Sequence, residues 1–435
     1  MVFPLIVGTA TTPLLAGDPV AVPKAYINPT CTPFTLASKA IPASTLDSLN
    51  DTAGSFGSGT AYDPNSKTLY LTTDRGPGDG AVDFAPRLYA IPFSPNEQNP
   101  AQNIQSHLTA HLYKDTDGKP FIGLIPDSSD PEPRMKDGRR CLDPEGLTLM
   151  KDGNLLLCEE YMPSILQMKP DGSFMARLIP PENYFPRNPT SGEIDFREAP
   201  DRQEGREDNR GFEGLALSPD GKTLYTILQS GLTQDGGKDA GVTRLLLFDA
   251  FSGTPKSEYA VRFTDPASLG DRAKKLKTKN LVMSDLLCLP DGRLFTLERD
   301  NRGQDGSAEP KVAIFKSVCV LDLTGATDLL SLPDKPYSLR KADPKFKSLN
   351  ASQSIEYVKK TLLFDFQDLD LPSQGLAWNQ LPEKWEGLAL LSNNRLLVMS
   401  DNDFLTPELN LSGKKIPFPK CQTPTPTWLF TIQLP

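Results

Sequence analysis

Short apolar runs alternate with tight polar turns along this chain, and one such pattern returns again and again. It reads SGTAYDPNSKTLYLTTDRG from Ser58, PEGLTLMKDGNLLLCEEY from Pro144, FEGLALSPDGKTLYTILQSG from Phe212, SDLLCLPDGRLFTLERD from Ser284 and WEGLALLSNNRLLVMSDND from Trp385. Each copy has a small or acidic residue at its first or second position, runs through an apolar strand and turns at an Asn-Ser, Asp-Gly or Asn-Asn pair. A second apolar strand then closes on a polar or charged residue. Such a turn between two apolar runs predicts a β-hairpin.

The spacing is 87 residues from Gly59 to Gly146, 68 from Glu145 to Glu213, 72 from Glu213 to Asp285 and 101 from Asp285 to Glu386. A unit of that size holds four short strands and cannot bury its faces alone, so the copies must stack around an axis as blades. The predicted fold is all-β, a β-propeller over residues 50–435, with 1–49 as an N-terminal segment that includes a closing strand. Six blades are favoured, with five and seven left open. VAIFKSVCVLDLTG and YVKKTLLFDF, in the longest interval, supply either a degenerate further blade or an insertion. The strands after the turns (TLYLTT, LLLCE, TLYTIL, LFTLE, LLVMS) have the composition of buried sheet interior and are assigned to the core between blades. Segments 180–209 and 328–354 are polar and Pro-rich without an apolar period, and read as long excursions of the kind that carry function.

Aligned on the turn, Asp74, Glu160, Gln229, Arg299 and Asp401 share one register, with Glu159 and Glu298 one residue earlier. Glu145, Glu213 and Glu386 stack near the start of the preceding strand, with Asp285 close to that level. Acids at equivalent blade positions project as a ring into a narrow mouth, where they repel one another and are costly to leave unpaired. Arginines can neutralise them, with Arg75 and Arg299 at or beside the register and Arg244 a looser candidate. Alternatively a hard divalent cation, Ca²⁺ foremost, binds through oxygen ligands drawn from Asp74, Glu145, Glu160, Glu213, Asp285, Glu386, Asp401 and Asp403. A cation held this way leaves positions for phosphate oxygens, activates water and offsets charge on a transferring phosphoryl group. In that reading Arg75 and Arg299 engage phosphate and Glu298 joins them as a catalytic candidate. The competing reading is structural: the glycines allow close backbone approach and the glutamates cap neighbouring strands.

Composition narrows the partners. The chain has 435 residues with a net charge of −9 and a pI near 5.0, which argues against a nucleic-acid backbone. The one basic run, RAKKLKTK from Arg272, reads as a solvated loop. No segment is long and apolar enough for a membrane span. The N-terminus MVFPLIVGTATTPLLAGDPVA lacks a basic start and reads either as a signal remnant or as a first strand. Six cysteines without a CxxC pair exclude a thiolate metal cluster and permit three disulfides in an oxidising compartment. The pairing favoured is Cys31–Cys421, Cys141–Cys158 and Cys288–Cys319, with free thiols as the alternative. Only His107 and His111 are present, and no histidine-phosphatase, Cys-x5-Arg, GxSxG or P-loop motif occurs.

The motifs DPEGL, GFEGLALSPDG, LERD, WEGLA and SDND, with TDRG from Thr73, resemble in order the family named for the esterase-like activity of phytase. The resemblance runs over roughly residues 50 to 435. It implies a propeller, often exported to the periplasm or outside the cell, with phosphatase- or phytase-like activity on a small phosphorylated substrate and calcium as cofactor. It makes Glu145, Glu213 and Glu386 candidate metal or structural carboxylates, and Asp74, Glu298 and Asp401 strand-end candidates, while Gln229 departs from the acidic pattern. The expected function is a calcium-dependent phosphoester hydrolase. A calcium-propeller lactonase or carboxylesterase, and a non-catalytic binding propeller, stand as alternatives.

Overall fold

The computed structural model describes residues 36–94, 99–198, 202–332, 338–341, 348–349 and 354–434. The chain enters through strand β1 (Leu36–Ile41) and then builds four-stranded antiparallel sheets in succession. The first blade is β2 (Gly59–Asp63), β3 (Thr68–Thr72), β4 (Arg87–Pro92) and β5 (Ala110–Leu112). The second is β6 (Pro144–Leu149), β7 (Leu155–Glu159), β8 (Ser164–Met168) and β9 (Phe174–Leu178). The third is β10 (Phe212–Leu217), β11 (Thr223–Leu228), β12 (Val242–Asp249) and β13 (Pro255–Arg262). The fourth is β14 (Leu281–Cys288), β15 (Leu294–Asp300) and β16 (Lys316–Asp322), completed after a small parallel pair, β17 (Ser338–Lys341) and β18 (Ser348–Leu349), by β19 (Lys359–Asp365). The fifth is β20 (Lys384–Leu391), β21 (Arg395–Asp401) and, beyond the hairpin β22 (Glu408–Leu411) and β23 (Lys414–Pro417), β24 (Thr427–Gln433). Its outermost strand is β1, paired antiparallel to β24 from Leu36↔Ile432 to Ile41↔Thr427.

The propeller therefore has five blades. The two segments that offered material for a sixth, around KSVCVLD and KKTLLFD, are β16 and β19, the outer half of blade four. The seam between each pair of blades is a hydrophobic cluster. Leu155 and Leu157 of β7 pack toward blade one, for example, and Leu156 and Cys158 toward blade three. All four are fully or almost fully buried, so the unbroken LLLC run is explained by apolar neighbours on both faces of the strand. The seam between blades four and five is the most aromatic, with the Trp385 ring 4.4 Å from that of Phe430 and 5.0 Å from that of Phe366.

The first strand of each hairpin lines the axis, and these strands approach one another very closely. A Cβ on Gly59 would stand 2.3 Å from the Glu145 carbonyl oxygen, and one on Gly146 would stand 2.7 Å from the Glu213 carbonyl oxygen. In blade four Asp285 occupies the place of these glycines. Its carboxylate accepts N–H bonds from Leu286 at 2.8 Å and from Leu388 of blade five at 2.7 Å, and a further one from Leu215 of blade three. One side chain thus pins three inner strands.

The sulfur chemistry differs from the expected pairing. Cys141, Cys158, Cys288, Cys319 and Cys421 are free thiols, and Cys31 lies outside the described residues. Cys288 and Cys319 stand on β14 and β16 with β15 between them, roughly 9.6 Å of sheet, beyond the span of a disulfide. Cys158 donates to the Phe212 carbonyl in the seam with blade three, whereas Cys141 packs against Ile122 and Tyr161. His107 ends a short helix (Pro100–Ser106) and His111 lies in β5, so the two share no helical face. Arg272, in the basic run, pairs with Asp365.

Adding a methyl group at Gly146 would force backbone apart at the axis. Gly146→Ala is expected to destabilise the fold by about 1–3 kcal/mol, read as a lower denaturation midpoint with an unchanged β-sheet circular dichroism spectrum.

Candidate active site

A bulge near the start of the inner strand builds the mouth. The pairing of β6–β7, β10–β11, β14–β15 and β20–β21 shifts register at Pro144/Leu147, Phe212/Gly214, Met283/Asp285 and Trp385/Gly387. A bulged residue is re-aimed out of the ladder, and in three blades that residue is Glu145, Glu213 or Glu386. In blade four it is Ser284. Glu160, Gln229, Arg299 and Asp401 end the second strands at one level, and with Asp74 they complete the rim.

These residues enclose a cavity of about 20 Å³ walled by Asp74, Asp143, Glu145, Glu160, Glu213 and Glu386, with Arg75 and Lys384 beside them. Such a space admits about one water-sized occupant. The carboxylates form two groups whose oxygens lie within 4.8 Å of one another: Asp143, Glu145 and Glu160 on one side, and Asp74, Asp401 and Asp403 on the other. Basic side chains hold the walls. Arg75 lies 2.7 Å from Glu198 and 3.5 Å from Asp143, Arg299 is 2.5 Å from Glu386, and Lys384 is 2.5 Å from Asp403. Neutral donors fix other oxygens. Gln229 donates to Glu213 Oε1 at 2.6 Å, the Gly211 N–H to Glu160 at 2.8 Å, and Ser55 and Ser58 to Asp401 at 2.7 and 3.1 Å. Two oxygens make no hydrogen bond, Asp143 Oδ2, which has Arg75 Nε at 3.5 Å as its ion-pair partner, and Glu213 Oε2, both on side chains 1% exposed.

Burial dominates the electrostatics. It raises Asp74, Asp143, Glu145, Glu160 and Glu213 above the ordinary carboxylate range. Neighbouring negative charge adds to this, from Asp401 on Asp74 and from Glu213 on Glu145. Asp401 is pushed up to about 6 and Asp403 to about 7, burial again leading, with the Lys384 charge opposing it in both. Burial works against the charges of Arg75 and Lys384, but the surrounding carboxylates, Asp143 for the first and Asp403 for the second, outweigh it and raise both.

The structure brings most of the sequence-derived candidates together and sets several apart. Glu298 faces away from the mouth, where its carboxylate accepts from Thr264 and from Lys360 at 2.5 Å. It sits one residue before the rim register, so the pleat turns it to the other face of the sheet. Glu159 does the same in blade two, accepting from Tyr161, Met162 and Arg177. Asp285 serves the axis, its oxygens committed to backbone N–H groups. Arg75 and Arg299 are engaged by carboxylates of the wall, so they neutralise and position the acids. Arg244 is remote from the mouth, paired with Asp235 and Glu258 inside blade three. Asp143 and Lys384 were not among the candidates. Both stand two residues before a mouth glutamate, at Glu145 and Glu386, and a period-two count back from those glutamates is the signal that finds them. The excursion between blades two and three reaches the site through Glu198 and Asn209.

With this geometry in hand, the profile of the family described as esterase-like activity of phytase matches residues 52–404. The chain belongs to that family. A relative in Arthroderma benhamiae, named an uncharacterized secreted protein, is 29% identical over 448 aligned residues, spanning 84% of this chain and 86% of that one. Among solved structures, a gluconolactonase from Xanthomonas campestris is 12% identical over 91% of this chain and 97% of its own, with a TM-score of 0.32. The calcium-binding protein regucalcin from Agrobacterium tumefaciens is also 12% identical, over 91% and 95%, with a TM-score of 0.32. Likeness at that level carries no argument about chemistry in this phytase-like chain. Among its described residues no helix is long and apolar enough to cross a membrane.

The raised carboxylates set a pH dependence. Unfolded Asp and Glu titrate near about 4, whereas Asp401, Asp403 and Glu159 titrate at about 6, about 7 and about 7 in the fold. The native state then binds more protons than the unfolded one between those values, and the stability contributed by protonation is lost as pH rises through about 6 to 7. Melting of the chain in EDTA is expected at a higher temperature at pH 5 than at pH 7.5; the reverse order contradicts the assignment.

Proposed function

We propose that the protein is an exported hydrolase of small phosphoesters whose mouth works with a bound divalent cation, calcium first. The observation that carries this reading is Glu213 Oε2, buried without a hydrogen-bond donor in the wall of a cavity already crowded with carboxylates, beside Asp143 Oδ2, whose one neighbour in ion-pair range is Arg75 at 3.5 Å with no hydrogen bond formed. A buried carboxylate oxygen with no donor is costly, and a cation is the partner that satisfies several such oxygens together. The donor set fits a hard ion. It offers carboxylate oxygens from Asp143, Glu145, Glu160 and Glu213, with no imidazole or thiolate in the wall. When bound, such a cation polarises a phosphoryl oxygen and acidifies water.

The chain's own residues prepare the site. Arg75 and Arg299 hold Asp143 and Glu386 against mutual repulsion. Gln229 fixes one oxygen of Glu213 and so orients the other. The cavity is too small for a substrate, so a phosphoester meets the site from the rim, where Lys384 and Asn209 stand. Export is supported by the relative named as secreted.

The test is hydrolysis of an aryl phosphate, an aryl phosphodiester, phytate and an aryl carboxylate ester, in EDTA and after adding Ca²⁺. Phosphoester turnover is expected to vanish in EDTA, to return with calcium, and to fall by about 100-fold or more in Glu213→Gln. Turnover of the carboxylate ester alone overturns the phosphoester assignment. No turnover on any substrate, with a melting temperature indifferent to EDTA, overturns the hydrolase.

A further inference from the structure

The two carboxylate groups of the mouth are alike in composition but not in how their charge is met. Around Asp143, Glu145 and Glu160, with Glu213 on the same cavity wall, Glu213 Oε2 is buried with no donor, and Asp143 Oδ2 makes no hydrogen bond and has only the Arg75 guanidinium at 3.5 Å. In the group of Asp74, Asp401 and Asp403, by contrast, no described oxygen is left buried without a hydrogen bond. Gly76 donates its N–H to Asp74 Oδ1 at 2.7 Å, and Asp403 donates its own to Asp401 Oδ1 at 2.7 Å. The Lys384 ammonium lies 2.5 Å from Asp403 Oδ1, and its charge also acts on Asp74 and Asp401. Strand pairing places it there, since Lys384 of β20 lies directly opposite Asp401 of β21.

We propose that Lys384 is a built-in second cation: its ammonium fills the place among Asp74, Asp401 and Asp403 that a second divalent ion would take. The mouth then holds one exchangeable cation beside one fixed positive charge. This rests on the divalent-cation reading above and deepens it. A lysine is a compact point charge with three donors, so after satisfying Asp403 it has N–H groups left to offer. Its side chain is 22% exposed and lines the cavity, within reach of a group that enters there. The arrangement suits an anionic substrate group with two free oxygens, one met by the cation and one by Lys384. A phosphate monoester or diester supplies such a pair.

The experiment counts calcium per folded chain by equilibrium dialysis and elemental analysis. Wild type is expected to hold one ion, Lys384→Met two, and Lys384→Arg one. Two ions in wild type, or one in a folded Lys384→Met, overturns the proposal while leaving the cation reading intact. No ion in wild type overturns both. Should Lys384→Met fail to fold, calcium titration of two aspartate variants decides. Asp143→Asn is expected to weaken binding by more than about 100-fold and Asp403→Asn by less than about tenfold. Equal losses overturn the proposal.

Discussion

Everything at the mouth descends from how closely five inner strands approach the axis. With no Cβ at Gly59 or Gly146, each backbone lies against the first residues of the next blade. Where blade four breaks the series, Asp285 spends its carboxylate on backbone donors of three blades. The bulge that accompanies this contact pushes the preceding residue out of the ladder and toward the opening. When that residue is glutamate, ring closure itself crowds negative charge. The acids are therefore tied to the architecture.

Crowding of this kind opposes folding unless it is answered, because buried carboxylates lose hydration and repel. The chain answers blade by blade and unevenly. Blade three supplies neutral Gln229 at the rim, blade four supplies Arg299 in place of an acid, and blade five adds Lys384. Blades one and two carry Asp74, Asp143 and Glu160 with Arg75 between them. The imbalance gives the mouth a polar axis, from a side where every acid is hydrogen-bonded to a side where Glu213 Oε2 has no donor and Asp143 Oδ2 has only a loose contact with Arg75. A symmetric ring of five glutamates would have no such direction.

The hairpins, the all-β class and most of the acidic residues are legible in the sequence because turns such as Asp-Gly and strand periodicity are local signals. The blade count is not, since β16 and β19 are divided by a long excursion and pair only in three dimensions. Asp285 looks level with the mouth glutamates until pairing shows it aligned with the glycines, one residue further on. Glu298 fails for the same reason in reverse, as a shift of one residue changes the face of the sheet. Asp143 and Lys384 share a position two residues before a mouth glutamate but differ in charge sign, so no repeated residue type marks that position in the sequence. The cysteine pairing was out of reach, because an intervening strand is invisible to spacing.

The outermost strand of blade five is the first described strand to be made, and its partner is among the last. Residues 36–41 leave the ribosome almost the whole length of the propeller before 427–433 exist to receive them. Until then the growing ring has an open seam, with the edge of β21 unpaired and the apolar sides of blades one and five exposed. Closure is a long-range event that must follow synthesis, and such contacts form slowly. A chain held open in this way depends on being shielded from its neighbours until the two ends meet.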